Sequence, residues 1–176
     1  LMWKYVPFSD WIPPLLSFRH KFTFDEHLFQ FLSRLEKKTI LEWVAGLSPT
    51  ERTTSLNQIL DVVEKASNPG DAVRGIEVKR TSDFADKIDN SQLYTVYGGR
   101  LAKYLLLRID KELWEPENFP GYPGAVTVEH VLPRNPAEDS DWVKLFKKEE
   151  RTDWTNKLGN LVLLSGRKNS SARNYE

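Results

Sequence analysis

Apolar positions recur at helical spacing along the first two thirds of the chain. After "TFDE", where Thr23 offers a cap with Glu26 three residues on, Leu28, Phe31, Leu32, Leu35, Ile40 and Val44 line one side of a helix that Gly46 ends. "SPTE" repeats the start signal with Pro49 at the first helical position, and Leu56, Ile59, Leu60 and Val63 follow before an "NPG" stop at residues 68–70. A short helix is predicted near residues 83–88. "GRLAKYLLLRIDKELW", residues 99–114, is the most apolar helical pattern and reads as a central helix whose leucines and aromatics are core.

The period then changes. "EPENFPGYPG", residues 115–124, holds three prolines and two glycines, the densest run of breakers in the chain, and places a boundary there. Beyond it the pattern predicts a strand over 125–132, a polar connection with a helix around 142–149, a second strand "NLVLLS" over 160–165, and a helix starting near Arg167. The expected fold is α+β and mostly α: an N-terminal helical bundle, residues 1–124, packed on a small ββα unit, residues 125–176. Two strands and one helix bury too little surface to stand alone, so the tail should lean on the helical part.

Composition changes this picture little. The 176 residues and a 40% hydrophobic fraction suffice for a globular core, and 25 basic against 25 acidic residues leave no net field to announce an anionic partner. The absence of cysteine excludes a disulfide framework and a thiolate zinc ribbon, and suits a reducing cytosol. No apolar stretch approaches the ~20 residues of a membrane span, and the N-terminal order of charged and apolar residues is wrong for a signal peptide. The expectation is a soluble, cytoplasmic chain with no membrane contact. Beginning at Leu1 and stopping partway through a helical pattern at Glu176, it reads as an excised module truncated at its C-terminus.

One stretch resists the structural reading. "VTVEHVLPRN", residues 126–135, is a strand pattern interrupted by Glu129 and His130 just ahead of Pro133. A lone histidine in such a strand is ordinarily a packing residue. Here Glu129 is adjacent, Asn160 stands just ahead of the second strand, and Asn169 follows it by nine residues. With only His20, His27 and His130 and no paired-histidine helix motif, a zinc protease finds no support.

"EHVLP" and "NLVLLSGRKN" resemble the two halves of the HNH nucleases, also called ββα-metal or His-Me finger nucleases. More narrowly, "KYLLLRID", "VEHVLPRN" and "LGNLVLLSGRKNSSARNYE", over roughly residues 100–176, look like the C-terminal nuclease domain of GmrSD-type restriction endonucleases, which act in bacterial defence against modified phage DNA. The chain departs from the HNH pattern in two places. Ser165 and Lys168 stand where many members carry one cysteine pair of a structural zinc site, so no zinc is expected, and the metal-side acid is Glu129 in place of the more common Asp.

The resemblance implies a set of roles. His130 would be the general base, taking the proton of an attacking water. Asn160 would fix the imidazole or its loop, a role expected to cost activity without costing the fold. Glu129 and Asn169 would be oxygen ligands of one Mg²⁺ or a similar hard cation such as Mn²⁺. Arg151, Arg167, Lys168 and Arg173 would contact DNA phosphates, although surface arginines need no such explanation. Trp142 and Trp154 read as small-core residues, and the runs "RLEKK" and "KLFKKEE" as solvated helix faces. The implied function is a metal-dependent DNA endonuclease or nickase, coupled to an absent N-terminal nucleotide-hydrolysing domain that senses modification; a homo-oligomer is compatible with it. An RNA nuclease or toxin using the same site, and a non-catalytic interaction domain, are the competing readings.

Overall fold

In the computed structural model, which describes residues 1–22, 27–89, 92–96, 98–115, 119, 121–122 and 124–165, the chain is mostly helical with one two-stranded antiparallel sheet. In chain order the elements are α1 (Met2–Tyr5), α2 (Ile12–Lys21), α3 (Leu28–Ala45), α4 (Pro49–Lys65), α5 (Pro69–Gly75), α6 (Phe84–Asp89), α7 (Leu93–Val96), α8 (Arg100–Leu113), β1 (Val126–His130), α9 (Asp141–Leu145), α10 (Lys148–Trp154), a single 3-10 turn (Leu158–Asn160) and β2 (Leu161–Ser165). Two compact units result, one of residues 7–84 and one of residues 1–6 with residues 85–176. No helix among the described residues is long and apolar enough to cross a membrane.

In the unit of residues 7–84, α3 and α4 follow the predicted pattern. Gly46 closes α3 at φ 81°, a left-handed conformation that glycine adopts without penalty. The start signal of residues 23–26 lies outside the described residues. Ser48 and Glu51 form the reciprocal cap of α4, Glu51 N–H donating to Ser48 Oγ at 3.3 Å and Ser48 N–H to Glu51 Oε2 at 2.9 Å. The "NPG" stop is only half of what those residues do. Asn68 Oδ1 accepts from Asp71 N at 2.9 Å and Pro69 takes the first helical position, so the tripeptide that ends α4 also starts α5. Helix α2 has no counterpart in the expectations; its two prolines fall in the first turn, where they are tolerated. Phe18, Phe31, Leu35, Leu56, Ile59 and Val63 form the core, with the Phe18 and Phe31 rings stacked at 4.1 Å.

The unit that carries the sheet takes in α8 as well as the two strands. Its apolar face buries Leu101, Ala102, Tyr104 and Leu107, and the helix packs against both β1 and β2. The strands pair in register from Val126 opposite Ser165 to His130 opposite Leu161. β1 is shorter than predicted because the chain beyond it turns to a different partner: Val131 N–H donates to Asn160 O at 2.9 Å and Leu132 N–H to Asn160 Oδ1 at 2.7 Å. The single helix expected around 142–149 is two. Glu150 accepts the Lys147 N–H at 2.8 Å and starts α10, while Arg151 donates to Phe146 O at 2.9 Å, satisfying a carbonyl at the break. The third element of the expected ββα unit, near Arg167, lies outside the described residues.

Candidate active site

His130 is the last residue of β1 and its side chain is half-buried. Two neighbours define its position. The Tyr94 ring, on α7, meets the imidazole edge to face with centroids 4.6 Å apart, and Nε2 lies 3.3 Å from Asn156 Oδ1 in the turn after α10. These partners are themselves tied together, since Tyr94 N–H donates to Asn156 O at 3.1 Å and Gln92 Nε2 to Asp153 O at 2.9 Å. Burial holds the imidazole pKa below the ordinary 6.5; the hydrogen bond to Asn156 opposes this, the Arg134 charge adds to it, and the Glu129 charge opposes it. The shift favours the neutral imidazole, the protonation state a base requires.

Asn160 does not reach the imidazole but holds the loop that follows it. Only 7% exposed, its amide accepts from Leu132 N at 2.7 Å and donates to Leu132 O at 3.0 Å and to Thr155 O at 2.9 Å. These bonds join the end of β1 to the end of α10, the two pieces of chain that bear His130 and Asn156. They also change what the residue does: with three partners for a buried amide, Asn160 belongs to the fold as much as to the chemistry.

Glu129 pairs with Val162 and His130 with Leu161 in a regular ladder with no bulge between them, so the two adjacent side chains leave opposite faces of the strand. Among the described residues no group of three His, Asp or Glu side chains gathers as a metal site. Asn169, Arg167, Lys168 and Arg173 lie outside the described residues. Arg151 is placed close by, but its guanidinium donates to the carbonyls of Phe146 and Val143, a use internal to the protein. It borders a cavity of about 540 Å³ that Arg134, Asn135, Lys148, Thr152 and Asn156 also line, an open polar cleft one side chain away from His130. Trp142 is half-buried and stacks on Phe146 at 5.8 Å, whereas Trp154 is 52% exposed with Lys157 Nζ 4.9 Å from its ring, a cation-π contact and not a core position.

Sequence reasoning brought forward His130 and Asn160 and passed over Asn156 and Tyr94. "WTNKLGN" does carry a signal for Asn156, an amide four residues before Asn160 in a segment that must return to β2; nothing in "QLYTV" singles out Tyr94.

No curated protein and no solved structure gives a match. Residues 78–176, more than half of the chain, match the family described as GmrSD restriction endonucleases, C-terminal domain. The matched stretch spans α7, α8, both strands and the asparagines around His130, so the features of the site and the sequence match coincide, and the chain belongs to the family of GmrSD restriction endonuclease C-terminal domains.

Proposed function

We propose that this chain is the catalytic module of a bacterial restriction system, a metal-dependent endonuclease or nickase that hydrolyses DNA phosphodiester bonds with His130 as general base. The observation that carries this reading is a half-buried imidazole at the end of β1, hydrogen-bonded to Asn156, which borders a polar cleft that includes Arg134 and Lys148. In the reaction the water oxygen attacks phosphorus, its proton passes to the His130 imidazole, the bond from phosphorus to the leaving 3′ oxygen breaks, and that oxygen takes a proton from solvent. Asn160 keeps the loop after β1 in place while this happens.

Glu129 offers a hard oxygen donor near the end of β1. The chain has no cysteine thiolate, and Mg²⁺ is commonly held by one or two carboxylates with water and phosphate completing its shell. Glu129 would hold the ion, Mg²⁺ or Mn²⁺, with Asn169 as its second protein ligand. When bound it would stabilise the charge that builds on the phosphate. A chain with balanced charge binds DNA weakly by itself, so a sensor domain that hydrolyses nucleotide, or a second copy, would add affinity in a cytoplasmic defence against modified phage DNA.

The test is supercoiled plasmid incubated with the protein and Mg²⁺, with and without chelator, for the wild type and His130→Ala, with an RNA of similar length in parallel. Nicking or linearisation that chelator and the substitution each abolish supports the reading. Cleavage of RNA alone moves the substrate to RNA, and no cleavage of either by a folded wild type leaves an interaction domain.

A further inference from the structure

We infer that Asn156 is the positioning residue of the proposed base: its side-chain oxygen fixes which ring nitrogen of His130 carries the proton. This rests on the proposed role of His130 and extends it to a residue outside the motif. The argument is one of donors and acceptors. An amide oxygen can only accept, so Oδ1 at 3.3 Å from Nε2 requires the proton of the neutral ring to sit on Nε2. Nδ1 is then the nitrogen with a free lone pair, the atom able to take a proton from water.

Asn156 is well held for this task. Its backbone oxygen accepts Tyr94 N–H at 3.1 Å, and Thr155, the residue before it, gives its carbonyl to Asn160 Nδ2 at 2.9 Å. The Tyr94 ring closes on the imidazole at 4.6 Å, so ring rotation, which would exchange the two nitrogens, meets both an amide and an aromatic edge. Asn156 also borders the polar cleft. Since the main-chain bond from Tyr94 goes to the backbone of residue 156, a side-chain change there leaves that bond available.

The experiment uses the full chain labelled with ¹⁵N at histidine, in the wild type, Asn156→Ala and Asn156→Asp, with two readouts. One is the tautomer of His130 in long-range ¹H–¹⁵N spectra above its titration, assigned by the signal missing in His130→Ala. The other is kcat and KM on plasmid DNA. The wild type should show the proton on Nε2. Asn156→Ala should populate both tautomers and lose about 10- to 100-fold in kcat with little change in KM, the usual scale for an orienting partner. Asn156→Asp, which keeps an acceptor oxygen, should retain the Nε2 tautomer and stay above Asn156→Ala in kcat. A wild-type ring protonated on Nδ1, or an Asn156→Ala protein with unchanged tautomer and kcat, overturns the inference. If no protein cleaves DNA while the tautomer follows residue 156 as stated, the nuclease reading falls and the hold of Asn156 on the ring stands.

Discussion

The side-chain amide of Asn160 grips the Leu132 backbone on both sides of its α-carbon, accepting from its N–H at 2.7 Å and donating to its C=O at 3.0 Å. Both bonds are buried. Asn160→Ala leaves those two groups without partners at a desolvation cost of about 1–3 kcal/mol each, so a loss of about 2–6 kcal/mol is expected. Urea unfolding measures it; an unchanged midpoint would show that the amide does not hold the loop.

His130→Ala separates packing from chemistry. The half-buried ring makes an edge contact with Tyr94 and one long hydrogen bond, so its removal should cost little stability, while cleavage should fall by about 10²-fold or more, the contribution of a positioned base. A drop in rate no larger than the loss of folded protein identifies a packing residue.

The depressed pKa of His130 gives a pH dependence with a definite sign. Activity should rise with pH through a midpoint below 6.5 and be flat above it. Stability follows the same direction. Between the folded pKa and the unfolded value of about 6.5 the unfolded chain binds more protons, so this residue's contribution is intact above 6.5 and declines as pH falls through that window. Rate profiles and denaturation at several pH values check both, and His130→Ala should lose the two effects together.

Arg134 and Arg151 border the same cleft and should behave differently. Arg151 is tied to the carbonyls of Phe146 and Val143, so Arg151→Ala should cost stability, about 1 kcal/mol for a partly exposed site. Arg134→Ala should leave stability alone and lower the salt dependence of DNA binding by about one unit of slope, as loss of one phosphate contact does. Binding titrations at several salt concentrations distinguish the two; equal slopes for Arg134→Ala and wild type remove Arg134 from the DNA contact.

Residues 125–176 prepared alone should fail to fold cooperatively, because both strands rest on α8, which that peptide lacks. A sharp thermal transition by circular dichroism would contradict this.

Much of the architecture could be read from local signals. Helices α3, α4 and α8 and both strands stand where the apolar period places them, and Gly46 and the Ser48–Glu51 cap bound α3 and α4 as expected, because there the local preference and the buried face agree. The errors come from residues that serve two elements. Asn68 and Pro69 look like an end and are also a beginning; Glu150 and Arg151 look like part of one helix and instead sustain a break. His130 and Asn160 were legible as polar residues in an apolar pattern. Asn156 and Tyr94 were not, since what selects them is proximity to the imidazole, and no local pattern encodes a contact between residues 26 or more positions apart.

The tie between Gln92 and Asp153 joins positions 61 apart in the chain. On the ribosome this sets an order of events. When β1 has just left the exit tunnel, a nascent chain shows His130 but has neither Asn156 nor β2 outside, so the ring faces water without its amide and the strand has no partner. Only after the stretch through Ser165 has emerged can the long loops close and the imidazole acquire its surroundings. A chain stalled before the stretch through Ser165 has emerged would thus display the histidine without the site.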